Sequence, residues 1–170
     1  MPDAILRPSA RILLIDDHDR ILLYRGLGLL KTPDHAWFTP GGGVRPGEEL
    51  TVAAARELLE ETGYRAAPEA FGPVVAVSSG HWTSADDRLF RSEDSWFFLR
   101  VPAFEVDDGG MEDLESSLID AHRWWSLPEL EATSEHVIPL GLAPLLERLL
   151  GGRIPEEPVV LPWHHPEPPV

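Results

Sequence analysis

The stretch from Gly42 to Tyr64, GGVRPGEELTVAAARELLEETGY, constrains this chain more than any other. It reads as a glycine-rich loop followed by a helix that carries Glu57, Glu60 and Glu61. At ~100° of rotation per helical residue, with Glu57 set at zero, Glu60 falls at about −60° and Glu61 at about +40°. Three carboxylates therefore share one narrow arc. On the same ~100° rule Leu58, Ala55, Leu59 and Val52 fall between about +100° and +220°, on the opposite side. The helix is expected to turn an apolar back to a core and an acidic front to something else.

A divalent cation is the natural partner for that front. Carboxylates three and four positions apart on a helix stand ~5–6 Å apart and repel unless a counter-charge joins them. Mg²⁺ takes oxygen ligands from a few carboxylates and from substrate phosphates. Arg56 can pair with Glu60 one turn on and fix its rotamer. Gly41, Gly42 and Gly43 let the backbone come close to an ion or a phosphate with no side chain in the way. The plainer reading is a solvated acidic face, which is what most Glu-rich helices present. ELLEE alone does not separate the two.

The spacing does. The stretch resembles the Nudix box, G-x5-E-x7-R-E-U-x-E-E-x-G-U with U a bulky apolar residue. Gly42, Glu48, Arg56, Glu57, Glu60, Glu61 and Gly63 fill its fixed positions and Leu58 its first U. Tyr64, at the last U, is the less typical residue. Downstream, RWWSLPEL is similar to runs common at this place in the family. The resemblance implies an α/β fold, a Nudix-type α/β/α sandwich with a mixed β-sheet. It implies hydrolysis of a nucleoside diphosphate linked to another group, with Mg²⁺ or Mn²⁺ as cofactor. Glu57, Glu60 and Glu61 would hold the metal with the backbone carbonyl of Gly42, and Arg56 and Glu48 would orient the cluster. Family members often add an acid from outside the box. Glu115 is the first candidate, with Glu112 beside it and Glu93 as the alternative.

Subfamily marks narrow the substrate by what is missing. Gly80 stands where ADP-ribose hydrolases often have proline, and His81 and Trp82 where diadenosine polyphosphate hydrolases tend to have tyrosine. The NADH and coenzyme A hydrolase signatures are not reproduced. Isopentenyl diphosphate isomerase needs a cysteine, and this chain has none. A (deoxy)nucleoside triphosphate or a small nucleotide derivative remains. The other class to weigh is a non-catalytic nucleotide sensor, but such domains usually lose box glutamates and this one keeps all of them.

Length and charge fit that picture. A chain of 170 residues suits one domain, here residues 1–152, with 153–170 as a Pro-rich tail packed on the domain or on a partner subunit. The second case leaves room for a homodimer. A formal charge of −15, from 29 acids and 14 bases, speaks against nucleic acid as a partner and for a small nucleotide carried in with metal. No apolar run reaches the ~18 residues of a membrane span, and the N-terminus lacks a signal-peptide core, so no membrane partner and a cytoplasmic location are expected. The absence of cysteine fits a reducing compartment.

The remaining elements follow from turn residues and alternation. Ala10–Ile15 and Ile21–Tyr24 are expected to form a hairpin around DDHDR, and Arg25–His35 a loop. Ala36–Thr39 reads as a short strand leading into the glycines, with Trp37 and Phe38 on opposite faces. Phe71–Trp82 and Ser95–Val101 read as strands joined by a polar bend over Thr83–Asp94. The acidic segment Phe104–Glu115 reads as a loop, Ala121–Ser126 as a strand, and Ala143 onward as a helix ended by Gly151-Gly152. Arg25 and Phe38 near the box, with Trp82 and Arg91 near the bend, are the candidate substrate-binding residues.

Overall fold

Alternation along one long strand lays out both layers of the fold. In a computed structural model, which describes residues 3–27, 35–84, 86–107, 109 and 119–164, the strands are β1 (Ile5–Ile15), β2 (Ile21–Leu27), β3 (His35–Phe38), β4 (Gly41–Gly43), β5 (Val74–Thr83), β6 (Leu89–Arg100), β7 (Ile119–Trp125), β8 (Val137–Ile138) and β9 (Val159–Val160). The helices are α1 (Leu50–Thr62), α2 (Leu127–Ala132) and α3 (Leu142–Leu150). Successive strand residues point to opposite faces. Ala10, Ile12 and Leu14 of β1 meet Ala53, Ala54 and Leu58 of α1 on one side. Leu13 and Ile15 meet Leu142, Leu145, Leu146 and Leu149 of α3 on the other. Helices on both faces of a mixed sheet make the α/β/α sandwich.

The strand order is β8-β3-β2-β1-β6-β5-β9, with β4 paired to β1 and β7 to β2. β1 and β6 run parallel from Ile5↔Phe90 to Ile15↔Arg100, which makes them the spine. β4 lies antiparallel beside β1, with Ser9 opposite Gly43 and Arg11 opposite Gly41. That pairing places the glycines under α1.

Four details differ from the sequence expectation. β1 starts at Ile5 rather than Ala10, because β6 supplies a partner along its whole length despite the break in apolar pattern at Arg7 and Pro8. β2 continues to Leu27, so Arg25 sits on a strand rather than in a loop. The bend of the second hairpin is shorter than Thr83–Asp94, since β6 begins at Leu89; Arg91 and Glu93 are strand residues. On α1, Val52 is 40% exposed and Ala55 and Leu59 are only half-buried. The buried set is Ala53, Ala54, Glu57, Leu58, Glu61 and Thr62, so the buried arc takes in two of the three box glutamates.

Beyond α3 the chain crosses back to the sheet. β9 runs parallel to β5, Leu161 donates its N–H to the Val77 carbonyl at 2.8 Å, and its side chain is buried. Ser78 Oγ donates to the Pro162 carbonyl at 3.3 Å, and Trp163 lies flat on Gly80 with its indole N–H directed to the His81 carbonyl. A Cβ on Gly80 would stand 2.3 Å from the indole ring. Gly80→Ala is therefore expected to lift the tail from the edge of β5 and to speed proteolytic cleavage within residues 153–164. Cleavage at the wild-type rate would show that Trp163 is not the anchor.

Candidate active site

α1 presses its acidic arc onto a strand with no side chains. A Cβ on Gly42 would lie 2.6 Å from Glu57 Oε1, so only glycine admits that carboxylate here. The Gly41 N–H donates to Glu61 Oε2 at 2.8 Å, and the Tyr24 hydroxyl donates to the Glu61 carbonyl at 2.8 Å from beneath the helix. Glu57 and Glu61 are 5% and 4% exposed; Glu60, further round, is half-buried.

Arg56 clamps the cluster. Its Nε donates to Glu48 Oε2 at 2.9 Å and its Nη2 to Glu48 Oε1 at 2.8 Å. Nη1 donates to Glu57 Oε1 at 2.9 Å and lies 3.6 Å from Glu60, while Nη2 also reaches the Gly43 carbonyl at 2.9 Å. The hydrogen bonds from Arg56, with the Arg45 backbone N–H, hold the Glu48 carboxyl down from the usual 4.5 to about 2. The bond to Glu48 in turn pushes the Arg56 guanidinium up, against its own burial and with help from Glu57. One arginine cannot neutralise Glu48, Glu57, Glu60 and Glu61 together, and the exposed Arg45 stands 3.9 Å from Glu60. Clustered carboxylate oxygens against a bare backbone are a hard donor set, and they fit a divalent cation.

The backbone of β4 departs from expectation. Ile12 N–H donates to Pro40 and Val44 N–H to Pro8, both at 2.9 Å. In an antiparallel ladder this makes Ala10 and Gly42 a hydrogen-bonded pair, so the Gly42 carbonyl points at β1 rather than at an ion. The peptide groups that face outward belong to Gly41 and Gly43. The Gly41 carbonyl accepts from Arg11 Nη1 at 2.9 Å. Arg11 went unnoticed in the sequence; its one signal was a charge interrupting the apolar run ARILLI.

The other candidates are scattered. Arg25 lies over the Trp37 ring at 5.9 Å, on the face toward α3. Phe38, paired in register with Tyr24, emerges on the opposite face at 6.1 Å from that ring. Trp82 stacks on Phe90 at 4.5 Å and donates its indole N–H to Ser92. Arg91 is exposed, 3.9 Å from Glu93, and pairs with Leu6, three residues along β1 from the partner of Gly43, or about 10 Å. The structure thus joins Glu48, Arg56, Glu57, Glu60 and Glu61 and leaves Trp82 and Arg91 apart from them. Glu93 sits on β6 opposite Pro8, whose carbonyl takes Val44 N–H. Glu112 and Glu115 lie outside the described residues. Asp16, Asp17 and His18 bring ligand atoms within 4.8 Å of one another in the first turn. Burial would raise the Asp16 carboxyl, but Arg20 and the His18 N–H bond to it and hold it low, so that group serves the turn.

Comparison with known proteins settles the family. A NUDIX domain model matches residues 5–148. The chain belongs to the Nudix family. It is a hydrolase of the pyrophosphate-cleaving kind, and Gly42 to Tyr64 is its Nudix box. An RNA pyrophosphohydrolase of Caulobacter vibrioides is 32% identical over 144 residues, covering 78% of this chain and 77% of that protein. One from Rickettsia bellii is 30% identical over 139 residues, covering 73% and 77%. A solved Nudix hydrolase from Nitrosomonas europaea superposes with a TM-score of 0.57 at 26% identity, covering 87% of this chain and 90% of that one. The E. coli dihydroneopterin triphosphate pyrophosphohydrolase superposes at 0.60 with 18% identity, covering 87% and 99%, a likeness of fold alone. No described helix is long and apolar enough to cross a membrane.

The Glu48–Arg56 pair gives the box a pH signature. A carboxyl whose folded pKa is depressed adds stability above its unfolded value and loses it as pH falls toward the folded one. The stability gap between wild type and Glu48→Gln should be level above pH 4.5 and shrink between there and about 2. Denaturant titrations across that range measure it. A gap that stays constant to pH 2 would mean that the charge of Glu48 is not what Arg56 reads.

Proposed function

We propose that this Nudix hydrolase cleaves the phosphoanhydride of a small nucleotide, a (d)NTP or a nucleoside diphosphate derivative, with Mg²⁺ or Mn²⁺ held by Glu57, Glu60 and Glu61. The observation that carries the reading is the fit of Glu57 into the space left by Gly42, with Glu61 anchored on the Gly41 N–H. When bound, the metal polarises a phosphoryl oxygen and lowers the pKa of its water. The chain supplies the rest. Arg56 holds Glu57 in one rotamer, Tyr24 fixes the carbonyl end of the helix, and the backbone of β4 leaves the approach open. Glu115 is assigned as the acid outside the box, with Glu112 and Glu93 as substitutes. Residues 1–152 carry the chemistry in this reading, and within the Pro-rich tail, 153–170, the stretch from Val159 to Trp163 braces the edge at β5. The absence of cysteine supports a reducing, cytoplasmic setting.

A second reading has one observation behind it: curated relatives are named RNA pyrophosphohydrolases. A 5′-triphosphorylated RNA end offers the same anhydride. The charge of −15 weighs against it, since a long polyanion gains affinity by contacting basic surface.

One assay separates these. Nucleotides and a 5′-triphosphorylated oligoribonucleotide are compared for phosphate or pyrophosphate release with Mg²⁺ and Mn²⁺. Turnover of a small nucleotide, abolished by chelator and lowered by orders of magnitude in Glu60→Gln with the fold unchanged, is expected. Preference for the oligonucleotide would favour the second reading. Binding without turnover under either metal would favour a sensor.

A further inference from the structure

Arg56 is spent on the box itself: four of its five N–H donors bond to Glu48, Glu57 and Gly43, and Nη1, which carries the fifth, stands 3.6 Å from Glu60. Arg45 is exposed and stands 3.9 Å from Glu60. A third arginine reaches the glycine strand from the face of β1 opposite α1. Arg11 lies opposite Gly41 in the β1–β4 ladder, and its side chain crosses that residue. A Cβ on Gly41 would stand 2.9 Å from Arg11 Cδ, so the crossing needs glycine. On the outward side Nη1 donates to the Gly41 carbonyl at 2.9 Å, while the N–H of the same glycine goes to Glu61 at 2.8 Å. A guanidinium and a box carboxylate thus meet at the two polar ends of one residue.

Arg11 is half-buried and makes no ion pair among the described residues, in a chain with 29 acids and 14 bases. Its bond to Gly41 uses one of the five N–H donors of a guanidinium. A cation held in this position with unspent donors beside a metal-binding box suits an oxyanion.

We propose that Arg11 binds a non-bridging oxygen of the substrate's diphosphate group, beside the cation held by the box; this rests on the hydrolase reading above. Four carboxylates repel a diphosphate, and the positive fork of Arg11 offsets them with the directed pair of donors that phosphate oxygens accept. In the cleavage, a water oxygen bonds to phosphorus and gives one proton to a carboxylate base. The P–O bond to the bridging oxygen breaks, and the leaving phosphate takes the electron pair. Arg11 exchanges no proton; its charge lowers the cost of the negative charge on the phosphoryl oxygens.

Methylenediphosphonate, a diphosphate that cannot be hydrolysed, is titrated calorimetrically in the presence of Ca²⁺ into wild type, Arg11→Ala, Arg11→Lys and Glu60→Gln. Arg11→Ala should bind it roughly 10–100-fold more weakly, the scale of one lost charge-assisted contact, with Tm changed little. Arg11→Lys should fall between the two. Unchanged affinity in Arg11→Ala with a lowered Tm would overturn the proposal and leave Arg11 as a strap on β4. Where Arg11→Ala does not fold, Arg11→Lys decides: weakened binding supports the proposal and wild-type affinity overturns it. Undiminished binding by Glu60→Gln would instead count against the box reading itself, whereas loss in Glu60→Gln without loss in Arg11→Ala overturns the role of Arg11 alone.

Discussion

The contact between Glu57 and Gly42 sets how closely α1 can approach β4. A helix cannot bury carboxylates against an ordinary strand, because side chains on that strand would hold it off and leave the charges desolvated without partners. β4 has no side chains, so α1 settles close enough for Glu61 to take the Gly41 N–H and for Arg56 to reach the Gly43 carbonyl. Leu58, Ala53 and Ala54 then fall onto Ala10, Ile12 and Leu14 of β1. The core on that face and the acidic site are two results of one close approach.

Charge is distributed to match. A chain with an excess of acids places Arg56 where four of them converge and uses its donors to hold three in position. Arg20 does the same for Asp16 at the other end of β1, where the need is a tight turn. Arg11 follows neither pattern, because its partner is a backbone carbonyl. The box therefore has a built-in counter-charge for its carboxylates and another group beside it that is not committed to one.

Much of the site was legible because it depends on local rules. Helical rotation alone puts Glu57, Glu60 and Glu61 on one arc; the pairing of Glu48 with Arg56 followed from the family resemblance instead, because Glu48 stands before the helix in the turn from Arg45. What the arc faces is a tertiary matter. The expectation of an open acidic front failed because it took Val52 and Leu59 as the core side, whereas the glycine strand pulls the buried arc round to Glu57 and Glu61. Strand ends failed for a related reason: Arg7, Pro8 and Arg91 look like loop residues until β1 and β6 are known to pair in parallel. The alternation of Trp37 and Phe38 was readable from a short strand, but which face serves a substrate was not. Arg11 was invisible because its role comes from crossing Gly41, a contact between residues far apart in the chain.

The proposed divalent-metal site is the buried acidic arc of α1. Anomalous scattering from crystals soaked in Mn²⁺ tests it most directly. A manganese peak bounded by the carboxylates of Glu57, Glu60 and Glu61 beside β4 is expected. An empty arc, with manganese found instead at Asp16, Asp17 and His18 or nowhere on the protein, would contradict it.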